Sequence, residues 1–281
     1  MSVNVLVFCP TFEVNGVDQV RPETLDAIDA LDGTFDFVLG KYNPYKHGHM
    51  NILHQYQVAR NLALDGHTHL LTIEHDMIPP PNALVDLVAT GEKVAYGVYQ
   101  LRHGAHVLNA WRKVKSNHVG MSLSLFPDEL QQARHQVVPE VSGVGMGCTF
   151  IAREVLELFD FRPPENSKGG QIPDVAFATD CLRAGIKQVA HFGVLCGHIK
   201  PDGQVLWPFN NGGSNMAKYK VLVTVNAPGG RHLVEGELVE LPDEMGSELA
   251  RAGYVKAATK PKPAAPKEVA EPKVKKPTAK K

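Results

Sequence analysis

The chain has 281 residues, 43% of them hydrophobic and 21% charged, and a formal net charge of −1. That is enough for one well-packed unit of about 200 residues plus something small, and the composition is ordinary for a soluble globular protein. No run of 18 apolar residues is present, so no membrane span is expected, and the first ten residues read as a strand and not as a signal peptide, which points to a cytoplasmic protein.

The elements follow in chain order. VNVLVFCPTF (3–12) is a β-rich apolar run stopping at Pro10-Thr11, which predicts a buried strand. RPETLDAIDAL (21–31) puts Leu25, Ile28 and Leu31 on one helical face. FDFVLG (35–40) predicts a strand and MNILHQYQVARNLALDG (50–66) a helix closed by glycine. HLLTIEHD (69–76) predicts a third strand, 79–91 a helix, and VAYGVYQL (94–101) a fourth strand. Such alternation predicts an α/β fold with a mostly parallel central sheet and flanking helices. In those sheets ligands sit beyond the carboxyl ends of the strands, which places Pro10-Thr11, the segment after Gly40 and Glu74-His75-Asp76 around one crevice.

The second half has a different rhythm. Residues 141–159 read as a glycine-rich approach, a strand and a helix; 173–203 read as a helix ended by Gly185 and a strand reaching Gly197-His198. NNGGSN (210–215) is a break, so residues 1–217 form the main domain. Residues 218–258 then predict a small module of two or three strands and one short helix. The tail from Thr259 carries eight lysines against two glutamates, a net +6 that leaves −7 for the rest. Its Lys, Pro and Ala cannot bury a core, so 259–281 is expected to be disordered, and either solvated or a tether for nucleic acid or another acidic partner. Cys9, Cys148, Cys181 and Cys196 form no C-x-x-C pair and read as reduced core thiols.

Two positions stand out for chemistry. Asp76 ends an apolar strand at a turn stiffened by Pro79 to Pro81, where a carboxylate suits a hard divalent cation bridging to substrate phosphates; it can equally cap the next helix. His198 ends another apolar strand after a glycine and reads as a metal ligand or a structural histidine.

With these in place the sequence resembles the GT-A-fold nucleotide-sugar glycosyltransferases, in particular the compact kind often encoded by bacteriophages. PTF at 10–12 resembles the first-strand end where the nucleotide base sits. LLTIEHDMIPPPNALVDL resembles the strand, D-x-D, proline, helix signature, with Glu74 in the first acidic position and Asp76 in the last. GVGMGCTFIAREVLE resembles the acceptor-side glycine segment, and PDVAF with Gly185 and VLCGH resembles the E-D-x-x-F, G, H segment, although Pro173 replaces its first acid. The resemblance covers 1–208.

It implies a metal-dependent transfer of a sugar from a nucleoside diphosphate sugar to an acceptor hydroxyl. Mn²⁺ or Mg²⁺ would be held by Asp76 and His198, an imidazole ligand favouring Mn²⁺. If the transfer inverts, Asp174 would be the general base, with Asp180 the other candidate carboxylate; a retaining transfer needs no base at that place. The two lie about 120° apart around a helix, so only one is expected to work. Pro10, Thr11, Phe12, Glu13, Arg60, Glu74, His75 and Lys200 are the donor-binding candidates.

Weaker signals are His47, His49 and His54 as a hydrolase metal group, Trp111 and Trp207 as sugar-stacking or core residues, and Gly143 to Gly147 as a close approach for sugar or a tight turn. A binding or tethering protein and a nucleotidyltransferase are the alternatives. The latter expects a glycine-rich phosphate loop after the first strand, where VFCPTFEVNG has one glycine.

Overall fold

The computed structural model describes residues 3–14, 17–41, 44–45, 48–102, 107–113, 119–124, 136–163, 173–208, 216–226, 232–242, 246, 249–250 and 253–258. The first part runs β1 (Val5–Cys9), β2 (Phe12–Val14), β3 (Val17–Gln19), α1 (Pro22–Asp29), β4 (Phe35–Leu39), α2 (Gly48–Leu64), β5 (His69–Ile73), β6 (Met77–Ile78), α3 (Ala83–Ala89) and β7 (Val94–Val98). Then come β8 (Val107–Lys113), β9 (Val119–Ser124), β10 (Val137–Val144), β11 (Cys148–Ala152), α4 (Arg153–Leu158), α5 (Pro173–Arg183), β12 (Gln188–Leu195), β13 (Gly197–Ile199) and β14 (Val205–Leu206).

Nine strands form one sheet in the order β4-β1-β5-β11-β7-β12-β10-β8-β9. The pairings make β4, β1, β5, β7, β12 and β8 run one way and β11, β10 and β9 the other, so the fold is mixed α/β with most strands parallel in direction. β1, β7 and β11 are buried along their whole length, so both faces of the sheet centre are covered. Their continuous Val, Ile, Leu and Phe runs suit that environment. Helix α2 packs on β1 and β5, α3 on β7, β11 and β12, and α5 on β10.

Strand direction has one consequence for chemistry. β1, β5, β7 and β12 end at the same edge, and β11, antiparallel, begins there. Residues 10–12, 74–76, 99–102, 145–147 and 196–198 therefore meet along that edge. β13 pairs with β14 and with β6, setting His198 opposite Met77, while the Ile199 N–H bonds the Asp76 carbonyl at 2.9 Å. The strand over 69–76 stops at Ile73, and Glu74 to Asp76 form a turn closed by Met77 N–H to Glu74 O at 3.0 Å. Asp76 caps no helix, since α3 begins at Ala83 behind Asn82.

A second sheet, β18 (Leu238–Pro242), β15 (Met216–Val221) and β19 (Val255–Ala257), lies beside the pair β16 (Val225–Asn226) and β17 (His232–Leu233). Its own core is Tyr219, Val221, Leu233, Val239, Leu241, Leu249 and Val255. Residues 246 and 249–250 are helical, where the module's short helix is expected; the basic tail lies outside the described residues. All four cysteines are buried free thiols, and no helix is long and apolar enough to cross a membrane.

Candidate active site

The strand-end edge opens into a cavity of about 710 Å³. Eight of the sequence-derived candidates line it: Pro10, Thr11, Phe12, Glu74, His75, Asp76, His198 and, from the first turn of α5, Asp174.

Asp76 is 2% exposed, and neither carboxylate oxygen has a hydrogen-bond partner. Its Oδ2 lies 3.7 Å from Nε2 of His75 and 3.7 Å from Nε2 of His198, and it forms an ion pair with Arg102. His198 Nδ1 lies 2.8 Å from the Gln100 carbonyl, which only accepts, so the ring proton sits on Nδ1. Burial lowers His198 to about 4, against the Gln100 bond and with help from the Arg102 charge. Burial, Arg102, Arg21 and His198 lower His75 to about 4 as well. Both rings are neutral at pH 7, and the Nε2 lone pair of His198 faces an oxygen that only accepts. Two acceptors 3.7 Å apart attract a cation, and the Arg102 guanidinium already pairs with the same Oδ2. Asp76 and His198 are of the right donor types for a divalent ion, which would have to take the place of Arg102 on Oδ2. Among the described residues no group of three or more His, Cys, Asp or Glu is arranged to hold an ion, so remaining ligands would come from phosphate and water.

Glu74 is occupied differently. The Tyr56 hydroxyl donates to its Oε1 at 2.9 Å. Burial pushes Glu74 up to about 6, opposed by that bond, raised further by Asp174 and lowered by Arg102. Burial also pushes Asp174 up to about 6, opposed by the Val175 N–H that donates to its Oδ1 at 2.8 Å.

The Pro10–Phe12 loop is bracketed by Gln55, which accepts from the Thr11 N–H at 2.8 Å and donates to the Thr11 carbonyl at 3.0 Å. Phe12 stacks on His75 with centroids 5.6 Å apart and planes at 16°.

Four candidates sit elsewhere or lack a described side chain. Arg60 ties α2 to α4, donating to the carbonyls of Leu156 and Phe159 at 2.7 and 2.9 Å and pairing with Asp160. Asp180 accepts a two-pronged bond from Arg162 at 2.7 and 3.1 Å, and Lys200 turns to Gln204 and Asp202; neither lines the cavity. The Glu13 side chain lies outside the described residues, as do His47 and the side chain of His49, while His54 packs against Tyr45. Trp111 is a core residue, and Trp207 packs over Gly197. In the 143–147 segment, a Cβ at Gly145 would overlap Asn109 and the Tyr99 hydroxyl, and one at Gly147 would sit 2.8 Å from the Tyr99 ring. The close approach there is made by protein side chains.

Sequence reasoning missed Arg21, Tyr56, Tyr99, Arg102 and Asn109, all of which line the cavity. Tyr99 and Arg102 were within reach of the strand-end rule, since they follow β7 directly. Asn109 lies on β8, whose register nothing local specifies.

The sequence matches no family model, and no curated protein is similar to it. Solved structures with a related outline include A197 from STIV, at 20% identity and a TM-score of 0.46, covering 73% of this chain and 94% of that one. Others are a nucleoside-diphosphate-sugar pyrophosphorylase from Vibrio cholerae RC9 (10% identity, TM-score 0.38, 66% and 91% covered) and an inositol-1-phosphate CTP transferase from T. maritima (11%, 0.38, 71% and 91%). At these TM-scores the likeness places the chain in none of those families.

Proposed function

We propose that the chain is a metal-dependent glycosyltransferase, moving a sugar from a nucleoside diphosphate sugar to an acceptor hydroxyl. The observation that carries this reading is the Asp76 carboxylate, buried at a strand-end cavity with the Arg102 charge on it and Nε2 of His198 3.7 Å away, a site that gathers charge where a diphosphate and its cation would lie. An Mn²⁺ or Mg²⁺ ion held by Asp76 and His198 would offset the charge gathering on a departing diphosphate.

The chain's own residues divide the remaining tasks. Arg21 and Arg102, whose charges act on His75, suit the phosphate oxygens. Phe12, 36% exposed and backed by His75, offers a flat face to a nucleobase. Asp174, ionised at pH 7 yet raised to about 6, can take the acceptor hydroxyl proton. The acceptor oxygen then attacks the anomeric carbon, and the electron pair of the bond from that carbon leaves with the diphosphate. In this reading residues 1–217 are the transferase unit and 218–258 an appended module.

The test is to incubate the protein with Mn²⁺ and UDP-, GDP- and CDP-sugars and to follow nucleoside diphosphate release, with Asp76→Ala as the control. Release by the wild type and its loss in the variant support transfer. Pyrophosphate release from a nucleoside triphosphate and a sugar 1-phosphate would mark nucleotidyl transfer instead.

A further inference from the structure

Tyr99 is 3% exposed, follows β7 and lines the cavity. Its hydroxyl oxygen accepts from Asn109 Nδ2 at 2.5 Å and from the Gly147 N–H at 3.4 Å. Both lone pairs are thereby engaged, and the one capability left is to donate its proton. Among the described residues no acceptor takes that proton. The position is held from every side: Gly145 and Gly147 leave room that a Cβ would fill, and the ring meets His198 edge-on at 5.3 Å. The neighbouring polar groups in the cavity are complementary in kind. Glu74 and Asp174 are carboxylates, and both act electrostatically on Tyr99. The Tyr99 donor and the Glu74 and Asp174 acceptors, with apolar Ile52, Met146 and Pro173 around them, match a ring bearing hydroxyl groups, while Arg21 and Arg102, which line the same cavity, are the cations assigned to the diphosphate.

We infer that Tyr99 is a specificity-determining residue that donates its hydroxyl proton to an oxygen of the transferred group. That group is an uncharged sugar ring, whose own hydroxyls bond to Glu74 and Asp174. A uronic acid would bring a carboxylate against those two. The inference rests on the glycosyltransferase reading.

The experiment is calorimetric, in Mn²⁺, on the full chain. UDP and GDP are titrated in turn, then the hexose and uronate esters of whichever binds, into wild type and Tyr99→Phe. The wild type is expected to bind the hexose ester at least tenfold more tightly than the uronate ester. The variant loses about tenfold in affinity for the hexose ester while its affinity for the nucleoside diphosphate stays within twofold. Retained diphosphate binding also certifies that the variant is folded. Equal weakening for diphosphate and ester, no weakening of either, or a uronate ester bound as well as the hexose overturns the assignment. If the wild type binds neither diphosphate, the glycosyltransferase reading itself falls and takes this inference with it.

Discussion

The large sheet and the small C-terminal sheet handle burial in opposite ways. Every buried polar or charged residue in the described chain, from Thr11 to His198, belongs to the first, and the buried core of the second is apolar apart from the Tyr219 hydroxyl. Burying a polar group costs free energy unless something pairs with it. Most buried polar side chains of the large sheet are paired: Gln55 with Thr11, Thr72 with Met146, Gln188 with Tyr96. The exceptions among the described residues are the Thr11 hydroxyl, the Asp76 carboxylate and Nε of Arg102, none with a hydrogen-bond partner, and the Tyr99 proton, without an acceptor; all four residues line the same cavity. Unsatisfied burial, more than burial itself, marks where a ligand belongs.

The contrast can be broken at several points, the largest effect first. Asp76→Ala should lower transfer by about a thousandfold, since a metal-holding carboxylate acts on the leaving-group charge. It should also lower the melting temperature, because it leaves the half-buried Arg102 guanidinium without its ion-pair partner. Activity lost in Asp76→Ala but kept in a variant equally destabilised elsewhere, such as Leu241→Ala, separates the metal role from the structural one.

Asp174→Asn should cost about a hundredfold in turnover. Wild-type turnover should rise with pH through about 6, the value to which burial pushes Asp174. Because that value lies above 3.8, the unfolded carboxyl loses its proton first. The group's contribution to stability is therefore complete below about 4 and declines as pH rises through about 6. Asp174→Asn should then melt a few degrees higher than wild type at pH 8 and not at pH 4, read by calorimetry. A pH-independent difference would contradict the shift.

In the small sheet the order of effects reverses. Leu241→Ala should cost about 2–4 kcal/mol of that sheet's stability, as a buried leucine does. Nucleotide affinity should stay within twofold. The smallest effect is expected from Asp180→Asn, which removes a partly exposed partner of Arg162. It should cost at most about 1 kcal/mol and leave turnover unchanged. Loss of turnover there would make Asp180 the working base in place of Asp174.

The sequence was most legible where a local pattern and a topological rule agreed. The apolar runs of β1, β5 and β7 are strands because both faces are covered, and the strand-end rule then gathers Pro10, Glu74, Asp76 and His198. It was least legible where distant segments decide. Nothing within residues 148–152 says that β11 runs against β5 and β7, yet that reversal brings Met146 to the cavity and Gly147 against Tyr99. Asp180 and Arg60 look like site residues in one dimension. Their partners, Arg162 and the carbonyls of Leu156 and Phe159, appear only once the chain is folded.

The most direct measurement is an electron paramagnetic resonance titration of Mn²⁺ into wild type and Asp76→Asn, with and without a nucleoside diphosphate. Quenching of the free Mn²⁺ signal by wild type, strengthened by the nucleotide and abolished by the substitution, is the predicted result. A signal unchanged by wild type with any of UDP, GDP or CDP, or quenched equally by both proteins, would contradict a cation held at Asp76.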